Sequence, residues 1–488
     1  MIHVGVIVAV LGVYLREVIG APPLAERLGD LGVLAWTTLP LIGAAMAYWG
    51  LVWRCSRRID RAGDHRAVIL AERATLAFTF FAIGLHVVSV LVFGWLDLVR
   101  PWIGDLVLID ELVVLLVPVS ALAFRYLVMH PIDRRLREAA LISRLERGVP
   151  IHPFPSRARF VMLATRQHVL FMLVPLCAIM AWGEAIDRLL SALALPPDGA
   201  VATAAQMLGA IALLAMMPPV LCRLWDTVRF SAGPIRSAVQ DICEAHRVRV
   251  RELLLWRTGG SVINAAVIGM LPRLRYVVIT DALIESLEPE QVLAVAAHEV
   301  GHVRLRHMPW LAVCVLGCVT LLGSGLGWLA NQIPPSTLDA LPMGEDGVVA
   351  ALLGLTLLGV LLALGYMSRR FEWQADAFAA RHLSGMRPDN PAAPITEDAA
   401  RAMSSALGRV ARLNGIDPRR FTWRHGSIRT RQARLRALVG RPSDQAPIDR
   451  AVRRLKLGAL AVLLAGLLLT ALDFATISVP LQPGGFPM

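Results

Sequence analysis

Apolar runs alternate with short polar stretches along most of this chain, and many approach the 20 or so residues a helix needs to cross a membrane. They fall at residues 31–53, 75–96, 112–129, 169–182, 201–222, 310–330, 348–367 and 457–475. The run at 169–182 is short, and asks either for its flank toward Leu190 or for a re-entrant path. The opening IHVGVIVAVLGVYL lacks the basic start and small-residue cleavage site of a signal peptide, and reads as an uncleaved ninth span. The closing VPLQPGGFPM has the Pro and Gly content of an irregular tail.

Between residues 223 and 308 the period changes. SAVQDICEAHRVRVRELLLWRT reads as a helix running into a strand, GGSVINAAVIGM as a second strand, and RLRYVVITDALI as a third, rich in β-branched residues. ESLEPEQVLAVAAHEVGHVRLRH then starts a helix, with Pro289 in the first turn and Glu288 and Glu290 at the positive end of its dipole. The pattern divides the chain into an N-terminal bundle of five or six spans (1–222), a mixed region with two embedded spans at about 310–330 and 348–367 (223–455), and a last span with a short tail (456–488).

Composition agrees with a polytopic, mainly α membrane protein. Of 488 residues 56% are hydrophobic and 18% charged, too few polar side chains to cover a soluble globule. The net charge of +12 is not spread evenly. Arginines gather in alternate loops (Arg54 to Arg61, Arg134 to Arg147, the 223–307 segment, Arg453 to Lys456), and acids occupy the loops between. By the positive-inside rule this places both large polar segments, 223–308 and 368–455, in the cytoplasm of a cell whose inner membrane holds the protein. The same placement sets nucleic acid aside as a partner, since the basic residues orient spans. The six cysteines have no metal-ligand spacing and read as small core hydrophobes.

One helical stretch carries chemistry. In AHEVGH, His298 and His302 stand at i and i+4, so both imidazoles leave one face, with Glu299 beside them. This is the H-E-x-x-H arrangement, in which two histidines hold zinc and the glutamate acts as general base toward the attacking water. Catalytic zinc usually takes a third protein ligand. The best source is SRRFEWQADAFAARHL, where Glu372 and Asp376 are i and i+4, so that one can ligate while the other orients an imidazole from behind. Two spans between the motifs return the chain to the same side. His307 and His246, near the site in sequence, are assigned solvated or capping roles.

AVAAHEVGH, two spans and SRRFEWQADAFA together resemble the membrane zinc metallopeptidases that include the bacterial heat-shock protease HtpX and the CAAX prenyl proteases. The resemblance covers about residues 224–440 and extends to NAAVIG and YVVITDALIESLEPEQV. It implies a small cytoplasmic α+β zinc-peptidase domain of gluzincin-like fold interrupted by two spans. It implies one zinc per chain held by His298, His302 and Glu372, with Glu299 as base and Asp376 behind the ligands. HGSIRTR resembles a family motif H-P-x-[ILV]-x-x-R, with Gly426 where proline is usual, which makes His425 a candidate to stabilise the oxyanion and matches Arg431 in position. An extended substrate backbone is expected to add to the edge of the small sheet at Asn264 and Ala265. The function implied is hydrolysis of peptide bonds in membrane-associated or misfolded proteins, with protein or peptide substrates and the lipid membrane as partners. The alternative is a non-catalytic membrane scaffold or sensor of the same fold, against which the intact Glu299 stands. The oligomeric state and the role of residues 1–222 are not expressed in these patterns.

Overall fold

The computed structural model describes residues 2–19, 24–146, 148, 150–196, 200–330, 332–334, 337, 344–386, 394–442 and 446–477. The tail VPLQPGGFPM lies outside them. The chain forms two compact units, residues 1–228 with 256–260, and residues 229–255 with 261–488. The architecture is mainly α and polytopic. Among the described residues seven helices are long and apolar enough to span a membrane: Glu26–Ala62, His65–Phe93, Ile109–Ala139, Arg157–Ala192, His307–Ala330, Ala351–Leu383 and Pro447–Leu472. The apolar run at 201–222 becomes two helices, Val201–Met216 and Pro218–Leu224, bent by 48° at a break before Pro218.

In the first unit, the short run at 169–182 is completed by its flanks into the long Arg157–Ala192 helix, which passes through a π-helical turn at Thr165–Leu170. Residues 2–15 do form a helix, Ile2–Ile19. Its apolar part, Ile2–Arg16, is shorter than the seven long helices. The helix is fastened by side chains: Arg16 pairs with Asp97, and His86 Nε2 lies 3.3 Å from the Ala9 carbonyl. Three further ion pairs tie this unit, Arg100 to Asp110 at 2.7 Å, Arg188 to Glu184 at 2.6 Å, and Arg135 to Asp60.

The second unit builds a small sheet under a helical layer. Tyr276–Thr280 is buried along its whole length and lies between Glu252–Trp256 and Ala265–Ile268. Ala265–Ile268 pairs antiparallel with it, Ala265 opposite Ile279 and Ile268 opposite Tyr276, and its other side is a free edge. The three strands read from the sequence are therefore present. The helix Pro289–Arg304 follows, opened by Pro289 and by Gln291, whose side chain accepts from the Glu288 backbone N–H at 3.3 Å. Val292, Ala294, Ala296, Ala297 and Val300 bury one face of it in the core shared with Phe378, Ala379 and Ala380.

Those last residues belong to Gly344–Leu383, a single helix of 40 residues that is both a span and the carrier of Glu372. The two helices meet closely because position 301 has no side chain: a Cβ there would stand 2.9 Å from Cδ1 and 3.1 Å from Cγ of Phe378. The Pro289–Arg304 helix ends at Leu305, whose carbonyl accepts from Lys456 Nζ at 2.7 Å. Arg306 then takes φ 57°, a left-handed conformation that turns the chain before the next helix begins at His307.

Candidate metal centre

His298 and His302 face Glu372 across the contact between the two helices. Their Nε2 atoms are 3.2 Å apart, and they lie 3.6 and 3.7 Å from the nearer Glu372 oxygens. No other set of three or more His, Cys, Asp or Glu side chains among the described residues brings its ligand atoms together in this way. A tetrahedral ion with bonds of 2.0–2.1 Å requires donors about 3.4 Å apart. The observed triangle brackets that separation, and two imidazole nitrogens with one carboxylate are a donor set suited to zinc and poor for calcium or magnesium. The residues present fit the ion that the H-E-x-x-H pattern implies.

The surroundings prepare each donor. His298 Nδ1 lies 3.0 Å from Asp376 Oδ1, which directs the opposite nitrogen at the triangle. Burial alone lowers the His298 imidazole, but the Asp376 carboxylate outweighs it, so the net direction is upward in the absence of a cation. Burial, then the neighbouring His298, lowers His302 well below its ordinary value and keeps it neutral, the form a metal needs. Arg431 is buried on the Ile428–Arg436 helix and holds both carboxylates, Glu372 Oε2 at 2.9 Å and Asp376 Oδ1 at 2.6 Å. The sequence marked this arginine only as a motif position. Here it fixes the rotamers of Glu372 and Asp376 together.

Glu299 sits beside the triangle, not in it. Burial pushes its carboxyl up to about 7, near the value that suits a general base at neutral pH. It also accepts a hydrogen bond from the Val267 backbone, which ties it to the free edge of the sheet. On that edge the alternation of an antiparallel ladder decides which residues are available. Asn264 has both backbone groups engaged with Thr280, its N–H donating to Oγ1 at 3.0 Å and its carbonyl accepting from N–H at 3.1 Å. Ala265 therefore presents its backbone to the open side, while the Val267 N–H on that side is taken by Glu299. Asn264 contributes its exposed side chain there.

His425 reaches the site from a tight loop, its Nδ1 2.9 Å from Glu372 Oε1 and its side chain 51% exposed. Gly426 adopts φ 74°, which proline cannot. The loop thus follows a path closed to the usual H-P sequence, held by Gly426 N–H donating to the Thr422 carbonyl at 2.9 Å. The two histidines assigned solvated or capping roles are both buried, and His246 does cap the C-terminus of the Pro234–Ala245 helix. His246 Nε2 lies 2.9 Å from His382 Nδ1, away from the donors. His307 is 1% exposed, and its Nδ1 is 2.8 Å from His302 Nδ1. In a continuous helix, position 307 would point some 140° away from 302. The left-handed Arg306 brings it back.

Residues 244–402 match the family description Peptidase family M48. A CAAX prenyl protease 1 homolog of Arabidopsis thaliana is 28% identical over 170 residues, 32% of this chain and 39% of that protein. A Protease HtpX homolog of Syntrophotalea carbinolica is 26% identical over 152 residues, 30% and 52%. Protease HtpX of Pseudomonas aeruginosa is 34% identical over 116 residues, 22% and 38%. The chain thus spans between about two fifths and half the length of these curated relatives. A crystal structure of S. mikatae Ste24p aligns with 84% of this chain and 98% of that one at TM-score 0.45 and 16% identity. The matched segment contains the H-E-x-x-H helix, the Glu372 motif and the strands before them, and the resemblance read from those motifs is borne out.

Proposed function

We propose that this protein is an integral membrane zinc endopeptidase that hydrolyses peptide bonds of membrane-associated or misfolded proteins at the cytoplasmic face of a bacterial inner membrane. The observation that carries the reading is the donor triangle of His298, His302 and Glu372 with Glu299 beside it and a free strand edge next to Glu299. His298, His302 and Glu372 would hold zinc, which when bound would supply Lewis-acid polarisation of the scissile carbonyl and of the attacking water. Glu299 takes the water proton and passes it to the leaving amine. Asp376 holds His298 in the ligating orientation, and Arg431 holds Glu372 and Asp376. His425, half exposed beside Glu372, is placed to donate to the oxyanion. Substrate backbone adds to the strand edge at Ala265, beside the exposed Asn264 side chain, a mode that reads extended chain irrespective of its side chains. In this reading residues 223–455 are the peptidase region with its two spans, and residues 1–222 and 456–488 supply the remaining membrane helices.

The deciding experiment is zinc analysis of purified protein together with cleavage of an unfolded membrane-protein substrate by wild type and Glu299→Gln. We expect one zinc per chain in both and cleavage only by the wild type. Cleavage by the variant at the wild-type rate removes Glu299 from the mechanism, and a zinc-free wild type removes the reading. For orientation, single cysteines at Ser427 and Gln332 in a cysteine-free background are treated with a membrane-impermeant reagent in intact cells. Position 427 is expected to be protected and position 332 labelled, and the opposite pattern moves the site to the outer face.

A further inference from the structure

A ligating histidine must carry its proton on the nitrogen that faces away from the metal, so that the lone pair faces the metal, and something behind it must accept that proton. For His298 the acceptor is the Asp376 carboxylate, which can only accept. For His302 the atom behind Nδ1 is another imidazole nitrogen, His307 Nδ1 at 2.8 Å, and an imidazole nitrogen either donates or accepts. The next contacts remove that freedom. His307 Nε2 is 3.0 Å from Gln374 Oε1. The amide of Gln374 is fixed in turn, because its Nε2 donates to Asp449 Oδ1 at 2.7 Å, and the reversed amide would set two oxygens against each other. Asp449 is held from its other oxygen by Arg381 at 2.5 Å.

We propose that Asp449, Gln374 and His307 form a hydrogen-bond relay that places the His302 proton on Nδ1 and so aims the Nε2 lone pair into the donor triangle. Reading from the carboxylate inward, each group leaves its neighbour one choice. The Gln374 N–H points to Asp449, so its oxygen points to His307. His307 then donates from Nε2 and accepts at Nδ1, and His302 donates from Nδ1. The His307 ring has no room to rotate away, since it is buried and stacked on Phe371 at 4.2 Å with planes 5° apart. The relay is a positioning device. It deepens the zinc reading and rests on it in taking His302 as a ligand. It gives the last long helix, Pro447–Ile477, a hold on metal affinity from a place remote in sequence from either metal motif.

The test uses the purified full chain and three variants, with zinc affinity measured by competition against a chromogenic chelator and the ligand field by the visible spectrum of Co²⁺-loaded protein. Gln374→Met matches the size but has no acceptor, and is expected to weaken zinc by roughly 10- to 100-fold and to alter the Co²⁺ spectrum. The thermal midpoint of its metal-free form should stay near wild type. Gln374→Glu, sharing a proton with Asp449, keeps an oxygen for His307 and is expected to stay within about threefold of wild type with an unchanged spectrum. Wild-type affinity in Gln374→Met overturns the relay. So does equal weakening in both Gln374 variants, which would make the residue a packing element. His302→Ala separates the two readings: retention of zinc by that variant would show that His302 is not a ligand, whatever the Gln374 variants do.

Discussion

Both units bury charged side chains among apolar helices, and they dispose of the charge differently. In the first, arginines meet carboxylates one to one: Arg16 with Asp97, Arg100 with Asp110, Arg188 with Glu184. In the second, Glu372, His298 and His302 also have partners at their backs, yet all three turn a further lone pair toward one point. A pair of opposite charges is complete in itself. Convergent donors are complete only with a cation among them. What separates a structural ion pair from a metal centre here is the direction of the remaining lone pairs, since burial and charge are common to both.

That distinction sets a scale of effects. The largest is expected from Glu299→Gln, which leaves the donors intact and removes the base: peptidase activity should fall on the order of 10²- to 10⁴-fold with zinc retained, read by turnover and metal analysis of the same sample. Next comes Glu372→Ala, which opens the triangle and should lower zinc affinity by more than about 100-fold, beyond the usual cost of losing a residue behind the ligands. Asp376→Ala should fall within that usual range, roughly 10- to 100-fold, because His298 remains and only its orientation is released. Full metal occupancy in Glu372→Ala would mean that the convergence is not a zinc site. The smallest effect tests the other unit. Arg100→Met leaves Asp110 without its partner and should cost about 1–3 kcal/mol, seen as a lower thermal midpoint in detergent, while zinc content stays at the wild-type level. A loss of zinc there would erase the contrast between the units.

Much of this was legible in the sequence, because the signals are periodic. Apolar runs announce spans, and the spacing of His298 and His302 announces a shared face. The i and i+4 spacing of Glu372 and Asp376 was equally readable, though only the structure shows Arg431 gripping both. The misses have local causes. His307 lies on the wrong face of an extrapolated helix, and the left-handed Arg306 that corrects it has no glycine to betray it. The engagement of the Asn264 backbone with Thr280 becomes visible only with the strand register. Asp449 is distant in sequence, and an acid at the start of a helix ordinarily signals only a dipole.

Gly301 stands between the two histidines, and its missing methyl lets Phe378 close to within contact. Since Phe378 and Glu372 share one rigid helix, that contact is also a gauge on the size of ion the site accepts. At the present spacing the donors suit bonds near 2.1 Å. A side chain at 301 would push the carboxylate outward and tilt the preference toward larger cations, without altering a single ligand. On the zinc reading, the fit of the ion rests partly on a hydrogen atom that never touches the donors.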